Sequence, residues 1–372
     1  MRSSANEPAK PNDGRFIGGD AKPQGRCEAR KTDELLARRR WKSYNSRASS
    51  ARDGRWFVRH PLEPILEHRP VRRVDGSVFH QRVGGVRIDM HCHSTFSDER
   101  IKYLPGMVWN PLLEPAQIYD LAKRRGMDFV TITDHDTIDG CKALLDERGP
   151  LADFIVAEEV SVRFPEDGTI IHVNVYDIDE RQHAELQRVR DNLYDFVAAV
   201  RGFDKLYVLN HLTWTAQHRV LATWQIEKML EHFDVFEGLN GTRSYAHNAY
   251  AWAVTRGRGK TLVGGSDSHT HRVGTTYTLS AGATPAELLA SIRAGVAEPC
   301  GAFGTAEKLR EDVWLVLSKN AERRIAAAGS AWERGLCRAA RRFCQYTYPL
   351  ACLGYDTRQN LMIRKFLRAM PA

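Results

Sequence analysis

The sequence lacks the marks of several common protein classes. Its 372 residues contain no run of about 20 uninterrupted apolar residues, which a membrane-spanning helix requires. Its seven cysteines are odd in number and never spaced as CxxC, which argues against a disulfide framework and a thiolate zinc knuckle. Its first residues lack the apolar core of a secretory signal, so we expect a protein of the reducing cytoplasm.

Two common catalytic motifs are also absent. The sequence has no GxSxG nucleophile elbow and no GxxxxGK[ST] phosphate-binding loop. Hydrolytic chemistry in this chain would therefore have to come from other groups.

Charge is unevenly distributed along the chain. Residues 1–86 hold 19 Lys and Arg against 10 Asp and Glu, and residues 303–372 hold 13 against 6. Residues 87–302 hold 22 against 30, although the whole chain carries a net charge of +8. An acidic centre suits a site that collects cations. The basic ends are either solubilising tails or contacts for phosphate-rich partners such as nucleic acid.

Composition divides the chain into three regions. Residues 1–85 are rich in Pro, Gly, Ser, Lys and Arg, and we expect them to be largely disordered. We expect one domain over residues 86–302. A basic extension follows at 303–372, with helices predicted at 308–328, 331–346 and 356–369.

In residues 86–302, short β-rich runs alternate with helical patterns. The predicted strands are 86–91, 129–133, 154–162, 170–176, 206–210, 235–239 and 262–265. The predicted helices are 115–125, 185–200, 224–233, 245–256 and 285–294. This alternation predicts an α/β fold with parallel strands and right-handed crossovers, whose site lies at the carboxyl ends of the strands.

Five polar fragments lie at the ends of these predicted strands. They read DMHCH at 89–93, TDHD at 133–136, EEVS at 158–161, NH at 210–211 and GSDSH at 265–269. Imidazole and carboxylate groups are preferred ligands of divalent transition metals. The fragments therefore predict a polynuclear metal site.

Local geometry selects among these residues. Alternation along a strand puts His91 and His93 on one face, where both imidazoles can bind one ion. By the same rule, only one of the two glutamates at 158–159 can face the site. Asp134 or Asp136 either caps the helix that follows or orients an imidazole, and we keep Asp136 as a catalytic candidate.

The order of the motifs resembles the PHP phosphoesterase family, whose name joins DNA polymerase and histidinol phosphatase. The matching motifs are HxHSxxSD at 91–98, TDHD at 133–136, ExS at 159–161, a strand histidine at 172, NH at 210–211 and GSDSH at 265–269. The resemblance covers about residues 87–300. It implies a distorted (β/α)7 barrel with two or three divalent ions, either Mn, Fe or Zn, with Mg as a further option.

The resemblance also implies a position for each ligand. The first ion would be held by His91, His93, Glu159 and Asp267, the second by Glu159, His172 and His211, and the third by Asp98, His135 and His269. This chain departs from the family after Asp98, where Glu99 replaces the usual glycine and opens an insert at 101–111. We expect this insert to form a lid or wall over the pocket.

We expect a metal-dependent phosphoesterase that hydrolyses a phosphomonoester or a nucleotide-type phosphoester by attack of a metal-bound hydroxide. A guanidinium suits phosphate binding, so Arg243 and Arg272 are candidates, with Asn240 as a further substrate-binding residue. One alternative is an exonuclease on single-stranded nucleic acid, with the basic ends as its contacts. Others are a catalytically silent metal-binding interaction module and a hydrolase of carbon–nitrogen bonds. The sequence leaves the oligomeric state open.

Overall fold

The structure is a computed structural model that describes residues 85–97, 110–256 and 258–368 of the chain. The predictions for residues 1–84, for Asp98 and for most of the 101–111 insert lie outside the described residues. Within the described ranges, no helix combines the length and the apolar character needed to cross a membrane.

Nine strands are formed by the described residues, and seven match the predicted strand positions to within a few residues. These seven are β1 (Val86–Ile88), β2 (Val130–Ile132), β3 (Phe154–Arg163), β4 (Ile170–Tyr176), β5 (Tyr207–Leu209), β6 (Val235–Asn240) and β7 (Thr261–Gly265). Two strands were not predicted, β8 (Thr276–Ser280) and β9 (Ala297–Gly301). The sequence of β9, AEPCG, has little of the β-branched and aromatic content that identifies strands.

The strands form a six-stranded sheet and a three-stranded sheet. Strands β2 to β7 lie in chain order, and β1, β8 and β9 form an antiparallel sheet in the order β1-β8-β9. The prediction of parallel strands throughout is wrong at β4, which runs antiparallel to both β3 and β5. A short loop joins β3 to β4 as a hairpin, closed by a 2.8 Å hydrogen bond from Phe164 N to Thr169 O. Since no helix separates the two strands, no crossover is possible there.

The end of β1 and the segment that follows it join the two edges of the six-stranded sheet. Ile88 pairs in parallel with Phe129 beside β2, and Cys92 pairs in parallel with Ser268 beyond β7. Seven strand positions therefore curl into a barrel. The expected α/β barrel class is confirmed, with one reversed strand.

Nine helices are formed by the described residues. They are α1 (Pro115–Arg124), α2 (Asp139–Arg148), α3 (Glu180–Val189), α4 (Leu193–Gly202), α5 (Thr223–His232), α6 (Tyr245–Arg256), α7 (Pro285–Arg293), α8 (Ala306–Ala327) and α9 (Ala331–Arg368). Helix α2 is the helix expected to follow Asp136, for which the sequence pattern gave no bounds. The single helix expected at 185–200 is two, because the side chain of Asn192 caps a new helix by accepting from Tyr194 N at 2.9 Å. The two helices expected after residue 330 are one, since α9 continues through Pro349.

Alternation along β3 separates the barrel interior from the outer core. Ile155 and Ala157 belong to the interior apolar cluster, and Glu159 continues the same row of side chains toward one mouth of the barrel. Val160 and Val162 point the other way, into the core beneath the helices. The interior is therefore apolar along its length and polar at one mouth.

Candidate metal centre

Eight of the nine predicted metal ligands meet at this polar mouth. Their ligand atoms form four overlapping groups of three, and within each group the atoms lie within 4.8 Å of one another. The eight residues are His91, His93, His135, Glu159, His172, His211, Asp267 and His269. The ninth, Asp98, lies outside the described residues.

Glu159 lies at the centre of these donors, and its Oε2 atom faces three imidazoles. This oxygen is 3.2 Å from Nε2 of His91 and 3.2 Å from Nδ1 of His135. It is 3.3 Å from Nε2 of His93. This side of the carboxylate therefore faces the residues that leave β1 and β2.

The Oε1 atom of Glu159 faces a second group. It is 3.2 Å from both Nδ1 of His172 and Nε2 of His211. It also accepts a 2.7 Å hydrogen bond from Nδ2 of Asn210. One carboxylate thus stands between two donor groups, with one oxygen toward each, which is the arrangement of a bridging ligand.

These spacings fit the coordination of divalent transition metals. A zinc–nitrogen bond is about 2.0–2.1 Å long, so two ligands at a tetrahedral angle stand roughly 3.4 Å apart. The Nε2 atoms of His91 and His93 are 3.1 Å apart, and they lie 3.6 Å and 3.4 Å from Oδ1 of Asp267. Both the spacing and the donor types suit such ions.

The reversal of β4 explains how His172 reaches the site. His172 lies near the start of β4, opposite Ser161 of β3 in register. Because β4 is antiparallel to its neighbours, its start lies at the mouth where the parallel strands end. In a parallel strand, the same position would lie at the opposite end of the barrel.

Backbone geometry also gathers the donors. The backbone of Asp267 is left-handed, with φ of 49°, and its N–H donates to the carbonyl of His91 at 2.7 Å. His211 likewise has a φ of 24°. Non-glycine residues adopt the left-handed backbone conformation at an energetic cost, and such strain concentrates at functional sites.

Gly265 allows β7 to approach β1. A Cβ atom at this position would stand 2.4 Å from Cβ of His91 and 2.8 Å from its backbone nitrogen. Any larger residue would push the two strand ends apart. The close approach is what brings Asp267 within reach of His91.

Asn240 orients Asp267 and has no polar atom left for a substrate. Its Nδ2 donates to Asp267 Oδ2 at 3.0 Å and to Glu237 Oε2 at 2.8 Å. Its Oδ1 accepts from the backbone N–H groups of Thr242 and Arg243. The predicted substrate contact of Asn240 is therefore replaced by a supporting role, which leaves Asp267 Oδ1 free to face His91 and His93.

Sequence reasoning missed Glu237, a buried acid in the middle of β6. Its Oε1 is 3.0 Å from Nδ1 of His91, and its Oε2 accepts from the backbone N–H of His211 at 2.9 Å. A carboxylate on Nδ1 fixes the proton there and leaves Nε2 unprotonated for a metal. A lone acid in the apolar run of residues 235–239 was the available signal.

The two carboxylates and His172 are held in protonation states that suit cation binding. At His91, burial would lower the pKa, but Glu159 and Asp267 outweigh it and raise that pKa well above its usual value. Burial would raise the pKa of Glu159, but His91, His172 and His135 outweigh it and hold that pKa well below its usual value. Burial would also raise the pKa of Asp267, and the neighbouring His91 and His93 again lower it well below the usual value. Burial lowers the pKa of His172 to about 4. At neutral pH, both carboxylates are ionised and this imidazole is neutral, which are the metal-binding forms.

Arg243 follows β6 and lies directly beside the donors. Its Nη2 is 3.7 Å from Asp267 Oδ2, and its guanidinium lies 5.4 Å from the ring centre of Trp214. Its Nη1 donates to the hydroxyl of Tyr355 at 3.0 Å, while its buried Nε has no hydrogen-bond partner among the described residues. The ring of Trp214 also lies 4.7 Å from that of His172. Neither Trp214 nor Tyr355 was predicted, because neither belongs to a motif.

Arg272, the other predicted phosphate ligand, faces away from the donors. Its Nε donates to the carboxylate of Asp312 at 2.8 Å and 2.9 Å, and its Nη2 donates to Glu311 at 2.6 Å. Both acids belong to α8. Arg272 therefore ties the loop after β7 to α8, and we assign it no substrate contact.

Asp136 and Asp134 contact the loops around the donors and do not cap the helix that follows. Oδ2 of Asp136 is 2.6 Å from Arg190, and its Oδ1 accepts from the backbone N–H of Ser161 at 2.7 Å. Asp134 accepts from both N and Oγ of Ser94 at 2.6 Å. Neither caps α2, whose first turn has no side-chain cap. Both aspartates hold loops in place around the donors, and the contacts of Asp136 with Arg190 and Ser161 give it a structural role.

Of the two adjacent glutamates, Glu158 faces away from the site. Its Oε2 lies 2.9 Å from Nδ1 of His183 and accepts from Nε2 of Gln187 at 2.8 Å. Both partners lie on α3. Glu158 and Glu159 are both fully buried, so they differ only in the direction of the side chain.

The segment of the chain that supplies the last two donors is similar to a known family. The model of the PHP-associated family matches residues 245–297, which include Asp267 and His269. This segment of the chain is therefore similar to the PHP-associated family. Among curated proteins, none matches it significantly.

Several solved structures are similar to this chain. A two-domain protein from Bacteroides vulgatus, named as containing a predicted PHP-like metal-dependent phosphoesterase, is 17% identical with a TM-score of 0.44, over 62% of this chain and 69% of that one. PsfC from Pseudomonas syringae is 15% identical with a TM-score of 0.43, over 62% and 96%. An amidohydrolase from Chromobacterium violaceum, with bound sulfate and no metal, is 17% identical with a TM-score of 0.39, over 60% and 96%.

Proposed function

We propose that this chain is a metal-dependent phosphoesterase of the PHP type that hydrolyses phosphomonoesters or nucleotide-type phosphoesters. The observation that carries the proposal is the position of Glu159, with one oxygen 3.2 Å from His91 and the other 3.2 Å from His211. A carboxylate so placed suits two neighbouring cations better than one.

The donors divide among two or three cation positions. We assign His91, His93 and Asp267 to the first position, and His172 and His211 to the second, with Glu159 shared between them. We assign His135 and His269 to a third position, together with Asp98. Divalent ions at such positions activate water for attack on phosphorus and neutralise charge on the phosphate oxygens.

The chain's own side chains must hold the phosphate in line with these positions. Arg243 is the cation best placed to do so, because it is 3.7 Å from Asp267 and has an N–H without a partner among the described residues. A guanidinium contacts two phosphate oxygens at once. Trp214, packed between Arg243 and His172, forms an apolar wall that excludes water from one side of the site.

Metal analysis and a substrate panel together test the proposal. Purified protein should carry two or three Mn, Fe, Zn or Mg ions per chain. It should hydrolyse at least one of four classes: phosphomonoesters, nucleoside bisphosphates, dinucleotides and short oligonucleotides. Asp267→Ala should lose turnover while keeping its circular dichroism spectrum.

The outcome also separates the competing functions. Turnover confined to oligonucleotides, with strong dependence on salt, would favour the exonuclease. Turnover of amides alone would overturn the phosphoester assignment. Bound metal without turnover of any substrate would favour a silent binding module.

A further inference from the structure

Helix α9 exposes an apolar stripe that no other described residue covers. Seven large apolar side chains of α9 are 50% to 78% exposed. Six of them follow one another along the helix, and we call these the α9 seam: Trp332, Leu336, Phe343, Tyr346, Leu350 and Leu353. The other face of α9 is fixed to the protein, since Tyr348 stacks on Trp314 of α8 at 5.2 Å and Phe366 packs on Tyr250 of α6 at 5.4 Å. The seam therefore points away from the barrel.

The spacing of the seam is that of a helix that packs along another helix. Its members are separated by intervals of three, four or seven residues, and Ala339 divides the interval of seven into three and four. Alternating steps of three and four give a repeat of 3.5 residues, which is the coiled-coil period. A helix lying on a membrane would instead have a broad apolar face bordered by Lys and Arg. The seam is bordered largely by small or uncharged residues such as Gly335, Ala340, Thr347 and Gly354.

The exposed area is large enough for a stable pair. An aromatic side chain presents about 200 Å², and a leucine somewhat less, so the seam exposes on the order of 700 Å². A standard protein interface covers roughly 800 Å² on each partner. Monomeric proteins rarely leave so large a continuous apolar patch in water.

We infer that the α9 seam binds the same seam of a second copy, antiparallel about a twofold axis. In this register, Tyr346 of one copy packs against Leu350 of the other, and Phe343 packs against Leu353. Twofold symmetry forms each of these contacts twice. The largest side chains of the seam then lie at the centre of the interface.

Charge selects the antiparallel direction. The register above places Arg342 of one copy beside Asp356 of the other, at both ends of the central contact. A parallel pair would instead place Arg342 beside Thr347, which carries no charge. Only the antiparallel pair gives Arg342 a partner of opposite charge.

Sedimentation velocity on the full-length protein tests the inference. The expected result is a dimer, with Leu350→Glu shifting the protein to monomer. Val296→Glu is the matched control, because Val296 is also an exposed apolar residue, at 46%, but lies outside α9. That variant should remain dimeric. Circular dichroism should show an unchanged helix content in both.

A charge swap tests the register without altering the apolar contacts. Arg342→Asp and Asp356→Arg should each weaken the dimer roughly tenfold or more, and the double variant should restore it. A dimer that the double variant fails to restore would overturn the antiparallel register. A monomeric full-length protein, a dimer that survives Leu350→Glu, or binding of the seam to anionic phosphatidylserine vesicles with no dimer would each overturn the inference.

Discussion

Glu159→Gln is expected to remove both metal and turnover while leaving the fold intact. The amide has nearly the same shape, and it can still accept the 2.7 Å hydrogen bond from Asn210. What it loses is the negative charge shared by two donor groups, whose imidazoles lie 3.2 Å and 3.3 Å from the carboxylate oxygens. Loss of an outer supporting group costs about 10–100-fold in metal affinity. Loss of the shared carboxylate should therefore cost at least about 100-fold at each position, or about 2.7 kcal/mol.

Turnover should fall further than metal affinity. Removal of a single group that stabilises developing charge costs about 10²–10³ in rate. Since Glu159 serves both donor groups, we expect kcat to fall at least about 10³-fold even at saturating metal.

Glu158→Gln is the matched control. Glu158 is the preceding residue and is equally buried, but its carboxylate contacts His183 at 2.9 Å and Gln187 at 2.8 Å. Removing its charge weakens hydrogen bonds to α3, at a cost of about 1–2 kcal/mol in the free energy of unfolding. Metal content and kcat should stay within about twofold of the parent.

Three measurements on both variants test these roles: metal content after dialysis, steady-state turnover and thermal unfolding. The reasoning is refuted if Glu159→Gln retains the parent's metal content and rate. It is equally refuted if Glu158→Gln loses metal to the same extent, because the direction of the side chain would then be irrelevant.

Glu237→Gln should lower metal affinity about 10–100-fold, because it releases Nδ1 of His91. Calorimetric titration of the metal-free protein measures this affinity, and an unchanged value would contradict the role of Glu237. Arg243→Lys should lower kcat/KM about 10–100-fold, whereas Arg272→Lys should change it by less than about twofold while lowering the melting temperature. If Arg272→Lys lowered kcat/KM more than Arg243→Lys did, the phosphate contact would have to be assigned to Arg272. Tyr355→Phe should raise KM about 2–10-fold with little change in kcat, because it removes one hydrogen bond from Arg243; a loss confined to kcat would argue against this. A chelator should abolish turnover, and added Mn²⁺ or Zn²⁺ should restore it.

Much of the barrel and its donors could be predicted from sequence because local rules determine them. The HxH pattern places His91 and His93 on one strand face, and alternation separates Glu159 from Glu158. The ends of the short strands could be located because a polar motif interrupts each apolar run.

Other features depend on contacts between distant segments and have weak sequence signals. The reversal of β4 follows from a hairpin at residues 164–169. Its PEDG turn is only a weak signal in the sequence that two strands are directly connected. Glu237 is recognisable as a partner of His91 only once β6 and β1 are known to lie together. Arg272 and Arg243 follow neighbouring strands in sequence, yet only the packing of α8 shows that Arg272 is already paired.

The bond between Arg243 and Tyr355 joins residues 112 positions apart in the chain. All of the described donors precede α9 in the chain, and the last of them is His269. The arginine is therefore anchored only when α9 docks. Because Met362, Ile363 and Phe366 of the same helix pack in the main hydrophobic core, loss of α9 would remove part of that core together with the partner of Arg243.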